Sequence, residues 1–244
     1  MDDTKQSQPD KPLCQKCGVN ECYSYPMGET VVYTKYCSPC RLEDDLARDA
    51  KVSEEARRRA EEEITKRLNR VIPRLYQRAE ITDLPDALRD TVRNLDGGKG
   101  MYLFGAVGCG KTHSLCAIAK HYIRCGIKSV VFWNWEHFLK THRAKGADGY
   151  GVADKFLVDT AAAEILLIDD IGGNSKEASD DELEKLYLVF NNRVSNCLPT
   201  FFSSNRNPEE IGELYDQRIV SRIHGHCEII GLEGRDRRIE KMLF

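Results

Sequence analysis

Five short apolar runs recur along the last two thirds of the chain: Met101–Phe104, Ser129–Trp133, Ile165–Ile168, Thr200–Ser203 and Cys227–Ile230. Between them lie longer stretches with helical spacing. In Asp181–Ser195, for example, Leu183, Leu186, Tyr187, Phe190 and Val194 share one face. Short runs of this kind, alternating with amphipathic helices, predict an α/β fold with a five-stranded parallel sheet covered by helices on both sides.

The pattern changes twice on the way to that region. Residues 1–40 form a cysteine-bearing unit with a β-branched run, Thr30-Val31-Val32-Tyr33-Thr34. In residues 41–80 more than half the positions are charged and none is glycine. There Leu46, Ala50, Ala56, Ala60, Ile64 and Leu68 draw a narrow apolar stripe along one long helix. Arg57-Arg58-Arg59 beside Glu61-Glu62-Glu63 supplies opposite charges one turn apart, and Pro73 ends the helical pattern. A solvated connector helix is the plain reading; a nucleic-acid-binding helix is the alternative. The chain thus divides into a small module (1–40), a charged helical connector (41–80) and an α/β domain (81–244).

Composition narrows the class. With 41% hydrophobic and 31% charged residues in 244, the chain is globular rather than disordered. Its net charge of −3 gives no global field for nucleic acid, so any such contact needs a local basic patch. No apolar run approaches the ~20 residues of a membrane span. The opening MDDTKQSQPDKP is acidic and polar, unlike a secretory leader. A soluble cytoplasmic protein is expected.

Ten cysteines would suit a disulfide framework if they were evenly spread, but five fall within Cys14–Cys40. Cys14-x-x-Cys17, nineteen intervening residues, then Cys37-x-x-Cys40 is the spacing of a zinc ribbon. Each pair presents two thiolates to one tetrahedral ion. Four protein ligands leave no open position, so Zn²⁺ there is structural, and in so small a unit it supplies most of the folding energy. Cys22 fits neither pair, and an iron–sulfur cluster is the alternative occupant. Tyr23, Tyr25, Tyr33 and Tyr36 offer a docking surface for single-stranded DNA or a protein.

The clearest chemistry follows the first run of the α/β region. Gly105-Ala106-Val107-Gly108-Cys109-Gly110-Lys111-Thr112, followed by His113 on a helical stretch, fits GxxxxGK[ST] after a strand. Glycines let backbone N–H groups converge on phosphate at a helix N-terminus. Lys111 reaches the β- and γ-phosphates of ATP, and the Thr112 hydroxyl ligates Mg²⁺. The third run ends in Asp169-Asp170, two carboxylates at the C-terminal end of a parallel strand, where open α/β sheets bind ligands. Asp169 is expected to hold Mg²⁺ and Asp170 to orient the attacking water. A kinase-like P-loop fold is still open at this point.

Three later segments narrow the choice. Phe201-Phe202-Ser203-Ser204-Asn205-Arg206, Gln217-Arg218-Ile219-Val220-Ser221-Arg222-Ile223 and Gly234-Arg235-Asp236-Arg237-Arg238 follow in order. With the two motifs above they resemble the DnaC/IstB branch of AAA+ ATPases, bacterial and phage helicase loaders and transposase partners. Ile72-Pro73-Arg74, Leu188–Arg193 and Leu198-Pro-Thr fit the same branch, and the likeness covers about residues 70–244. It implies an AAA+ P-loop core that hydrolyses ATP slowly. Asn205 would be the sensor-1 residue near the γ-phosphate. Arg222 would be a finger reaching a neighbouring subunit, with Arg218 its support, and Arg238 would be the sensor-2 arginine. The plain alternative for Arg218 and Arg222 is pairing with Asp216 or Glu213. Ser203-Ser204 departs from a threonine and serine common in the family, and Asp170 stands where faster relatives carry glutamate.

The resemblance also implies partners: a hexameric replicative helicase held through the N-terminal module, single-stranded DNA on the core, and self-association through the ATPase interface. A transposition regulator of the IstB type, acting on double-stranded DNA, is the alternative. A stand-alone nucleotide kinase fits less well, since it needs neither finger arginine nor zinc ribbon.

Overall fold

The computed structural model describes residues 12–21, 24–27, 30–33, 35–36, 38–94, 98–144, 158–173, 177–234 and 236. They fall into two compact units, Met1–Glu63 and Ile64–Phe244.

In the first unit, β1 (Ser24–Met27) and β2 (Thr30–Tyr33) form an antiparallel hairpin, with Ser24 opposite Tyr33. Before it, Gly18 donates its N–H to the Cys14 carbonyl at 2.8 Å, and Cys14 donates to Asn20 at 2.8 Å. Gly18 turns this loop at φ 67°, a left-handed conformation that glycine adopts without strain. Helix α1 (Ser38–Val71) follows; its stretch up to Glu63 belongs to this unit. Arg57–Glu61 (3.7 Å) and Arg58–Glu62 (3.6 Å) pair along its exposed surface. Such exposed pairs contribute only a few tenths of a kcal/mol each, about 0.3–0.5.

The second unit holds the sheet. Its strands are β3 (Gly100–Phe104), β4 (Val130–Asn134), β5 (Ile165–Asp169), β6 (Thr200–Ser204) and β7 (Cys227–Gly231). All five predicted runs are present, and every pairing is parallel in the order β4-β5-β6-β3-β7. Alternation along each strand builds two cores. Tyr102, Leu166, Ile168 and Phe202 face one side, packed with α4 (Trp135–Ala144), α5 (Asp180–Ser195), α6 (Pro208–Leu214) and α7 (Gln217–His226). Met101, Leu103, Leu167 and Phe201 face the other, with α2 (Asp86–Arg93) and α3 (Lys111–Arg124). Most of these side chains are fully buried, each worth about 1.5–3 kcal/mol relative to exposure.

The chain between Ile64 and Leu84 packs into the second of these cores, where Ile72, Ala79 and Leu84 are buried. Glu80 clamps this stretch to α3 through Lys120 (2.6 Å) and Arg124. Among the described residues, no helix is long and apolar enough to cross a membrane.

Candidate nucleotide site and cysteine cluster

Strand β3 ends at Phe104 and α3 begins at Lys111, with Gly110 as its N-cap at φ 104°. The intervening loop carries the phosphate-binding motif. Two glycines are required by what lies over the loop. A Cβ on Gly105 would sit 2.3 Å from the Leu232 carbonyl oxygen, and one on Gly108 would sit 2.0 Å from Asp236 Oδ1. The segment after β7 therefore crosses the loop, anchored where Leu232 N–H donates to Phe104 O at 2.7 Å. Of the stretch that resembles sensor 2, Gly234 and Asp236 lie beside the phosphate loop; Arg235, Arg237 and Arg238 lie outside the described residues.

Lys111 is only 8% exposed. Its ammonium donates to the carbonyls of Gly105 and Ala106, both at 2.8 Å, and lies 3.9 Å from Cys109 Sγ. Carbonyl acceptors keep the charge aimed into the loop, and phosphate oxygens can replace them at little cost. His113, one residue past Thr112, contacts Asp83 through Nε2 at 3.2 Å. The N–H of Glu80, and after it His113, hold the Asp83 carboxyl below its ordinary range.

The end of β5 meets the loop next. Thr112 Oγ1 donates to the Asp169 carboxylate, 3.0 Å from Oδ1 and 3.1 Å from Oδ2. Ser203 Oγ donates to Asp169 Oδ1 at 2.6 Å and accepts from the Asp170 N–H at 3.0 Å. Asp169, 5% exposed, is thereby fixed by the hydroxyls of Thr112 and Ser203. Asp170 sits at φ 64°, a left-handed conformation that costs a non-glycine residue about 1–3 kcal/mol. Asn205 Nδ2 donates to Asp170 Oδ1 at 3.4 Å. The structure thus gathers Lys111, Thr112, Asp169, Asp170 and Asn205 from three loops at the C-terminal ends of β3, β5 and β6.

An oxygen-only set of hydroxyl and carboxylate suits a hard cation such as Mg²⁺. Thr112 and Asp169 already stand within hydrogen-bond reach of each other, so they fit as its two protein ligands.

Ser203 was expected only as a departure in the sensor strand, yet it holds the Asp169 carboxylate and the Asp170 backbone N–H. The signal was available: β6 lies beside β5 with Ile168 opposite Phe202, so the next residue on each strand is Asp169 and Ser203.

The two arginines of α7 lie against α5. Arg218 is paired with Asp216, with Nε 3.1 Å from Oδ1 and Nη2 3.0 Å from Oδ2. Its guanidinium charge has a carboxylate partner there, as in the plain reading. Arg222 has different company. Its guanidinium carbon lies 4.4 Å from the Tyr187 ring centroid, and Nη2 donates to Tyr187 Oη (2.9 Å) and Asn191 Oδ1 (3.3 Å). Among the described residues, no ion pair or hydrogen bond joins either arginine to Lys111 or Asp169.

In the N-terminal unit the thiols of Cys14, Cys17 and Cys40 lie within 4.8 Å of one another. Cys14 and Cys40 are buried and Cys17 is exposed. Backbone N–H groups of Asn20 and then Val19 lower the Cys17 thiol's pKa. Three converging sulfurs with N–H donors around one of them are a soft donor set of the kind Zn²⁺ takes. Cys37 and Cys22 lie outside the described residues.

Known proteins bear on this arrangement. The family model of the bacterial DnaA ATPase domain matches residues 92–229. The replicative helicase loader DnaI of Bacillus subtilis (strain 168) is 30% identical over 177 residues, covering 68% of this chain and 54% of that protein. The chain therefore spans about half the length of that curated relative. The crystal structure of the DnaC helicase loader superposes with a TM-score of 0.57 at 21% identity, over 66% of this chain and all of that one. A DnaA initiator bound to AMPPCP and single-stranded DNA superposes at 0.55 and 18% identity, over 70% of this chain and 55% of that one. The last two likenesses show that the second unit has the AAA+ P-loop fold.

Proposed function

The chain belongs to the family of the bacterial DnaA ATPase domain, and on that premise we propose that it is a slow ATPase that loads a replicative helicase onto single-stranded DNA in the bacterial cytoplasm. The observation that carries the ATPase reading is the Thr112–Asp169–Ser203 contact beside Lys111. It assembles a phosphate-binding lysine and a cation-binding pair at one point.

Each residue then has a defined task. Loop amides and Lys111 bind the β- and γ-phosphates, and Asp236 marks where the following segment borders that loop. Mg²⁺, held by Thr112 and Asp169, supplies charge neutralisation on the transferring phosphoryl group. Asp170 orients water, with Asn205 fixing its carboxylate. Arg222, which forms no ion pair among the described residues, completes the site of a second copy of this chain. Zn²⁺ on Cys14, Cys17, Cys37 and Cys40 would fold the N-terminal unit into a docking module for the helicase.

Likeness to the DnaI loader over 68% of the chain supports loading over other AAA+ tasks. The test is co-purification with a hexameric replicative helicase, combined with ATPase assays with and without helicase and single-stranded DNA. Capture of the helicase and ATPase stimulated by the two together are expected. A protein that ignores the helicase but binds a transposase on duplex DNA would overturn the loader reading.

A further inference from the structure

Arg222 is held in an unusual way for a half-buried cation on a helix. Its three hydrogen-bond partners are the Tyr187 hydroxyl, the Asn191 amide oxygen and the Arg218 carbonyl, the last 3.0 Å from Nη1. None carries a formal negative charge. The Tyr187 ring lies beneath the guanidinium, where the π face attracts a cation without cancelling it. Tyr187 and Asn191 are one turn apart on α5, so both point from the same face. Arg218, four residues earlier on α7, also lies over the Tyr187 ring, 5.2 Å from its centroid, but differs in that a bidentate carboxylate pairs with its charge.

An arginine fixed by neutral partners is oriented without a counter-ion beside its guanidinium. That is the requirement for a group that must meet an incoming anion without reorganising. Two of its five N–H groups, on Nε and Nη1, remain for that anion.

We propose that Tyr187, assisted by Asn191, is a positioning residue that presents Arg222 to the phosphate bound by a second copy of this chain. The proposal rests on the intersubunit role given to Arg222 above. Tyr187 acts on the partner's site and has no part in its own.

The experiment compares Tyr187→Phe, Tyr187→Leu, Asn191→Ala and Arg222→Ala in the full chain, with helicase and single-stranded DNA present and assembly confirmed. Tyr187→Leu should lower kcat about tenfold or more with KM and ATP affinity unchanged; Tyr187→Phe, which keeps the ring, should lose less. Mixing Tyr187→Leu with Lys111→Ala chains should restore turnover, because one interface then joins an intact phosphate loop to a correctly held Arg222. A purely structural defect would not be repaired by mixing, and that outcome overturns the proposal. So does a Tyr187→Leu protein that hydrolyses ATP as well as the parent, or faster, as a merely parked arginine would allow. If Arg222→Ala itself turns over normally, the intersubunit role of Arg222 falls. If Arg222→Ala is inactive while Tyr187→Leu is normal, only the positioning role falls.

Discussion

Thr112 and Asp169, 57 residues apart in sequence, meet with the threonine hydroxyl 3.0 Å and 3.1 Å from the two carboxylate oxygens. One belongs to the first turn of α3 and the other to the last residue of β5. Their meeting depends on the parallel sheet, which sets the C-terminal ends of β3, β6 and β5 side by side. The predictions below follow from what surrounds that contact.

Lys111 is the only cation within the phosphate loop. Lys111→Ala should leave the fold intact and abolish ATP binding, measured by titration calorimetry or a fluorescent analogue. Micromolar affinity in the variant would refute the assignment of the loop.

Ser203 supplies a 2.6 Å hydrogen bond to Asp169 and accepts the Asp170 N–H. Ser203→Ala leaves a buried carboxylate short of one donor, a loss of about 1.5–3 kcal/mol for a bond to a charged group. Hydrolysis should fall about tenfold, with a higher Mg²⁺ concentration needed for half-maximal rate. An unchanged Mg²⁺ titration would show that the hydroxyl does not set the Asp169 geometry.

Asp170 occupies a left-handed conformation at φ 64°. Asp170→Gly should raise thermal stability by up to about 1 kcal/mol while ATP binding persists and turnover is lost. Stability that falls instead would mean that the Asn205 contact outweighs the backbone strain.

Glu80 gives an acid-sensitive contact. Burial works to raise its pKa, but hydrogen bonds from Arg124 and Lys120 outweigh it, and the carboxyl is held below its ordinary value of 4.5. A lowered folded-state pKa contributes stability that is complete above about pH 4.5 and is lost as pH falls through the lower folded value. Glu80→Gln should destabilise the protein near neutrality and reduce that acid-side loss. Parallel melting curves of variant and parent from pH 7 to pH 3 would refute this.

The cysteine cluster sets a fifth test. Purified protein should contain about one zinc per chain, and Cys14→Ser should release it and unfold the N-terminal unit while ATP binding survives. Iron–sulfur absorption bands, or no metal at all, would count against zinc.

Much of the nucleotide site was legible because its chemistry is local. GxxxxGKT and Asp169-Asp170 each lie within a few consecutive residues, and the apolar runs announced β3 to β7. What was not legible depends on residues far apart in sequence. Ser203 looked like a variation in strand sequence until β6 was set beside β5. Tyr187 read as one apolar position on a helix face, and only the packing of α7 on α5 shows it beneath Arg222. Glu182 is a similar case: this buried carboxylate accepts from Trp135 Nε1 at 3.0 Å and from the Tyr215 hydroxyl. Nothing in DDELEK distinguishes it from its exposed neighbours. Asp216 as the partner of Arg218 had been only the alternative, beside Glu213, to a role in support of Arg222.

The position of β3 has a consequence for biosynthesis. This strand carries the phosphate loop, yet both its neighbours, β6 and β7, are made about a hundred residues or more after it. On the ribosome, β3 and the GxxxxGKT loop emerge early and must wait, since neither flank of the strand can be hydrogen-bonded. Only when Gly231 has cleared the exit tunnel can the strand be held on both sides and Leu232 close over Gly105. Nascent chains stalled before β7 should therefore fail to retain an ATP analogue, and during that interval the exposed strand is a natural client for chaperones.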